Sequence, residues 1–69
     1  MLLTEVNSSN IKAIGHEDNN LIVQYKSGVK YLYENVSTDT FNELLNAESK
    51  GSFMNKNIKN KYPYRKLVD

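Results

Sequence analysis

Apolar and polar positions along the 69-residue chain follow two periods, a period of two up to Val36 and one near 3.6 beyond it. Ile11–His16, Leu21–Lys26 and Val29–Glu34 are rich in β-branched and aromatic residues and bounded by turn formers, which predicts three strands. Glu17-Asp18-Asn19-Asn20 and Lys26-Ser27-Gly28 are the connections, and both predict hairpins. In the second hairpin, loop length decides the faces. A two-residue loop, Ser27-Gly28, pairs Val23 with Leu32 and splits the apolar set. A three-residue loop with Gly28 in the left-handed bulge position pairs Tyr25 with Val29, Val23 with Tyr31 and Leu21 with Tyr33, all on one face. The other face then carries Gln24 opposite Lys30 and Ile22 opposite Leu32, as expected of a sheet covered on one side. The first hairpin leaves two inward sets open, Ile11 with Ala13 or Ile14 with His16, and Gly15 is a candidate bulge that admits both.

Beyond Val36, Phe41, Leu44 and Leu45 recur at helical spacing, Ser37 is a capping residue and Asp39 sits where negative charge favours a helix start. A first helix is predicted over residues 38 to 47. Lys50-Gly51-Ser52 interrupts the pattern, then Met54, Ile58 and Tyr62 repeat every four residues with Lys56 and Lys59 facing away, which predicts a second, shorter helix. Pro63 ends it, because proline lacks an N–H and biases its predecessor away from helix. The tail from Tyr62 to Leu67 is predicted to be extended. The expected fold is α+β, one domain over residues 1–69: a three-stranded antiparallel meander with two short helices packed on one face.

Composition changes this picture little. With 39% apolar and 25% charged residues the chain is that of a folded domain, and no apolar run nears the ~20 residues of a membrane span. The start, Met-Leu-Leu-Thr-Glu, turns polar too early for a secretory signal, so a cytoplasmic location without membrane contact is expected. No cysteine is present, which removes disulfides, thiolate nucleophiles and cysteine-ligated zinc. A core this small rarely supplies more than ~3–5 kcal/mol, so self-association through Ile22 and Leu32 is an expectation.

Charge changes it more. Up to residue 49, three lysines face seven carboxylates, a balance of −4; from residue 50, Lys50, Lys56, Lys59, Lys61, Arg65 and Lys66 face only Asp69, a balance of +5. Segregation of this kind points to an anionic partner, or to a basic tail folded back on the acidic part.

Ser8-Ser9-Asn10-Ile11 ahead of Ala13-Ile14-Gly15, the central Tyr31-Leu32-Tyr33, Asn46-Ala47 before Ser49-Lys50-Gly51, and Asn55-Lys56-Asn57-Ile58-Lys59-Asn60-Lys61-Tyr62 together resemble the KTSC family. That family is named for a domain at the C-terminus of some lysyl-tRNA synthetases and also occurs as free-standing small bacterial and phage proteins. The resemblance runs from about residue 6 to residue 65 and implies an RNA-binding module, with no residue roles to carry over. After Ile14-Gly15, where the family pattern leads one to expect an aromatic, this chain has His16.

Tyr31 and Tyr33 suit base stacking, but they share a face with Leu21, Val23 and Tyr25 and are read as core. His16 is the single histidine and is read as a satisfied strand residue. Glu17, Asp18, Glu43 and Glu48 fall in turns or on a polar helical face, without the inward pairing of acid/base catalysis. No G-x-x-x-x-G-K or G-x-S-x-G motif occurs. Neither catalytic residues, nor a metal site, nor a cofactor is expected. Lys50-Gly51-Ser52 ahead of a helix is a phosphate-sized feature, or a plain turn with Gly51 ending one helix and Ser52 capping the next. The expected function is non-enzymatic binding of RNA or another polyanion through Lys50, Gly51, Ser52, Lys56, Lys59, Lys61, Arg65 and Lys66. The alternatives are an oligomeric protein that sequesters a small phosphorylated, nucleotide-derived ligand, and a protein-interaction module using the outer sheet face.

Overall fold

The computed structural model describes residues 3–67; Met1 and Leu2 of the early polar start, Val68, and Asp69 of the charge balance lie outside the described residues. Strands β1 (Thr4–Glu5), β2 (Ile11–Glu17), β3 (Asn20–Tyr25), β4 (Lys30–Tyr33) and β5 (Tyr64–Leu67) form one antiparallel sheet in chain order. Between β4 and β5 lie helix α1 (Thr38–Asn46), the short helix α2 (Lys50–Phe53) and a π-helical turn (Met54–Ile58) that continues it. The fold is α+β, and the expected three-stranded meander is the centre of a five-stranded sheet.

Register follows the turns. In the second hairpin, Leu21 pairs with Tyr33, Ile22 with Leu32, Val23 with Tyr31 and Gln24 with Lys30. Its three-residue loop is closed by Tyr25 N–H on the Val29 carbonyl and Gly28 N–H on the Tyr25 carbonyl, both 2.9 Å. Gly28 has φ +98°, as the left-handed position requires. In the first hairpin Glu17 pairs with Asn20 across Asp18 and Asn19, whose φ values of 53° and 64° are those of a type I′ turn. That turn puts Ile14 opposite Val23 and His16 opposite Leu21 on the inner face. The bulge falls at Lys12, not Gly15, and brings Ile11 opposite Tyr25 on the same face. Ala13 and Gly15 are left to the outer face.

The core joins Ile11, Ile14, Leu21, Val23 and Tyr33 of the sheet to Val36, Leu44, Met54 and Ile58. Ser37 caps α1 by accepting the Thr40 N–H at 3.2 Å. His16 Nε2 donates to the Val36 carbonyl at 2.6 Å, and its ring stacks on Phe41 at 5.1 Å between centroids, so it serves as the aromatic expected there. The second helix starts earlier than its apolar repeat predicts: Ser49 is the cap, accepting the Ser52 N–H at 3.3 Å, and Gly51 lies inside α2 instead of ending α1. β5 is the larger addition. The helical run ends at Ile58, earlier than the expected stop at Pro63, and a turn closed by the Lys61 N–H on the Ile58 carbonyl at 3.1 Å follows; the Pro63 carbonyl accepts the Glu34 N–H at 2.8 Å, and the extended tail then pairs along β4.

Candidate functional site

The core takes in side chains of β2, β3 and Tyr33 of β4, and toward β5 the inner face is partly open. Tyr33 is buried there, Tyr25 and Tyr31 are half-buried, and Tyr64 is 58% exposed. These four rings, with Ser27, Val29 and Lys59, line a cleft of about 310 Å³. The rings touch in sequence: Tyr25 meets Tyr31 edge-on at 5.9 Å, Tyr31 meets Tyr64 edge-on at 5.9 Å, and Tyr33 meets Tyr64 at 5.6 Å. Such spacings are those of mutually packed aromatics, so the cleft wall is a continuous aromatic surface. Tyr33 forms its floor and shares a side-chain hydrogen bond with Tyr25; burial, then that bond, pushes its phenol well above the ordinary value. The floor therefore stays protonated and neutral at physiological pH.

The reading of Tyr31 and Tyr33 as core holds for Tyr33 alone. The inner face is wider than two short helices cover, so Tyr25 and Tyr31 pack against the core by one edge and line the cleft by the other. Lys59 is exposed, facing away from the core as expected, and it also borders the cleft. The π-helical turn, closed by the Lys59 N–H on the Met54 carbonyl at 2.7 Å, departs from the 3.6-residue period and brings Lys59 to the cleft wall.

The other cations part company. Lys66 is exposed and lies opposite Tyr31, hence on the cleft face, whereas Arg65 lies opposite Leu32 on the outer face. Lys56 and Lys61 are exposed on either side of Lys59 in the chain. Lys50 has a structural duty: its Nζ donates to the Ala47 carbonyl at 3.1 Å, closing the C-terminal end of α1. Gly51 has no left-handed backbone, and the closest atom to a Cβ built on it is Asn10 Nδ2 at 3.7 Å. Ser52 is tied to Ser49 through both its N–H and its hydroxyl. The outer face presents Ile22 beside Leu32, both half-buried.

Comparison with known proteins agrees with this architecture. The KTSC domain family model matches residues 7–62, most of the chain. The chain belongs to the KTSC family. A KTSC domain protein of Yersinia pestis, YPO2434, has a crystal structure that superimposes with a TM-score of 0.90 at 34% identity, covering 97% of each chain. A protein of Tsukamurella paurometabola is 37% identical over 59 residues, 83% of this chain and 88% of its own.

The KTSC-like motifs divide by role when placed on the fold. Ser8 Oγ accepts the Ile11 N–H at 3.3 Å and shapes the entry to β2, while Ala47, Ser49 and Lys50 join α1 to α2. These hold the scaffold. Tyr31, Tyr33 and Lys59 are the parts of the KTSC motifs that reach the cleft. Tyr25 and Tyr64, the other two rings, lie outside those motifs; the alternation that put Tyr25 beside Tyr31 was their only sequence signal.

Proposed function

We propose that this KTSC domain is a non-enzymatic module that binds single-stranded RNA on the open inner face of β4 and β5. One observation carries the reading: a cleft walled by tyrosines, with Lys59 in its wall and no carboxylate or imidazole among its lining residues. Single-strand binders combine stacking rings with cations that follow the backbone, and unstacked bases are what such rings accept. Tyr31 and Tyr64 supply the stacking surface, Lys59 and Lys66 the adjacent charge, and Lys56 and Lys61 add to the local field. Arg65, on the other side of the sheet, and Lys50, engaged with Ala47, stand outside this assignment.

The test is a titration of fluorescently labelled tRNA and single-stranded RNA at low and physiological salt. Salt-sensitive binding that weakens in Tyr31→Ala and Lys59→Gln supports the reading. No binding at low salt ends it.

A further inference from the structure

Size and ring arrangement say how much of a strand the cleft takes. At about 310 Å³ it lies at the bottom of the ~300–1,000 Å³ range of small-ligand pockets, too small for a run of bases. Tyr33 is the buried member of its lining and Tyr64 the most exposed of its rings, with Tyr25, Ser27 and Val29 contributed by the second hairpin. Lys59 stands in the wall, and Lys66 lies opposite Tyr31 where a strand leaving the cleft would pass. We infer that the cleft grips one unpaired nucleotide, its base laid on Tyr31 and Tyr64 and its phosphate on Lys59, with the rest of the strand held only by charge. A cationic guest is disfavoured by Lys59, and a proline-rich segment gives neither lysine a partner. This inference rests on the RNA reading and narrows it.

The experiment uses the intact chain, whose tyrosines report directly because it has no tryptophan. Tyrosine fluorescence and NMR shifts are followed with octauridylate, octaadenylate, the two annealed as a duplex, adenosine and uridine 5′-monophosphates, ribose 5-phosphate, and a proline-rich peptide. The expected result is one-to-one binding of each single strand, with competition by the monophosphates but not by ribose 5-phosphate, and much weaker binding of the duplex. Tyr64→Ala, at an exposed position, should weaken octamer binding about tenfold, and Tyr64→Phe should restore it. Thermal melts of both variants verify that the fold is intact. If the octamers bind while the monophosphates do not compete and Tyr64→Ala changes nothing, the one-nucleotide grip is wrong although RNA binding stands. If no octamer binds, both readings fall, and peptide binding in its place would assign the cleft to a proline-rich partner.

Discussion

At the scale of single residues, the two glycines at Gly28 and Gly51 carry opposite expectations. Gly28 has φ +98° with nothing within 4 Å of an added Cβ, so Gly28→Ala isolates backbone strain from crowding. A loss of about 1–2 kcal/mol is expected. Gly51 sits in a helix with ordinary backbone and 3.7 Å of room to Asn10, so Gly51→Ala should stabilise by about 0.4–1 kcal/mol. Urea unfolding of both variants checks the pair, and equal signs would contradict the geometry. Tyr33 gives a second prediction, through pH. Its folded pKa is raised above the usual phenol value of 10.0, so the unfolded chain releases that proton first as pH rises. The stabilisation is complete below pH 10.0 and is lost progressively above it. Melting temperature should therefore fall above that pH, and more shallowly in Tyr33→Phe, which has no phenol to ionise. Identical alkaline profiles would remove Tyr33 as the cause.

At the scale of elements, Lys50 joins α1 to α2 through the Ala47 carbonyl, in a helix whose last turn has no basic residue of its own. Lys50→Ala should cost about 1 kcal/mol in chemical denaturation and leave RNA affinity unchanged. A loss of binding without loss of stability would return Lys50 to the site. The same element shows where sequence patterns stop being informative. Hairpin register was legible because loop length and side-chain parity admit only one arrangement that collects Tyr25, Tyr31 and Tyr33 with Leu21 and Val23. The first hairpin was not, because its bulge falls at Lys12, a residue that carries no turn signal. β5 was legible as extended chain only: Tyr64, Arg65 and Lys66 are exposed, so no alternating burial marks them as a strand. Lys59 was legible as a candidate cation, but its place beside the tyrosines was not, since the apolar spacing of Met54 and Ile58 reads the same in an α-helix as in the π-helical turn. The cleft itself came from coverage. Whether two short helices span the whole inner face depends on how many strands the sheet has, and no local pattern counts them.

At the scale of the whole molecule, charge is sorted along the strands. Glu17, Asp18 and Glu34 gather at the end of the sheet that carries the first hairpin turn, while Lys12 and Lys26 lie toward the other end, where Tyr25, Ser27 and Val29 border the cleft. As β5 the basic tail folds back along β4, placing Lys66 opposite Tyr31 and Arg65 opposite Leu32. Segregated charge in the sequence thus becomes a face with cations beside tyrosines, and such a face predicts a definite salt dependence. A single strand releases about 0.7 counterions per phosphate neutralised, so Lys59 and Lys66 alone give a slope of log affinity against log salt near −1.4, and Lys56 and Lys61 extend it to about −2.8. Lys59→Gln with Lys66→Gln should flatten the slope by about 1.4, and Arg65→Gln, on the far side of the sheet, should leave it as it is. Fluorescence anisotropy with labelled octauridylate at several salt concentrations measures all three proteins. If Arg65→Gln flattens the slope as much as the double variant, the strand runs over the outer face beside Ile22 and Leu32, and the tyrosine cleft is not where RNA is held.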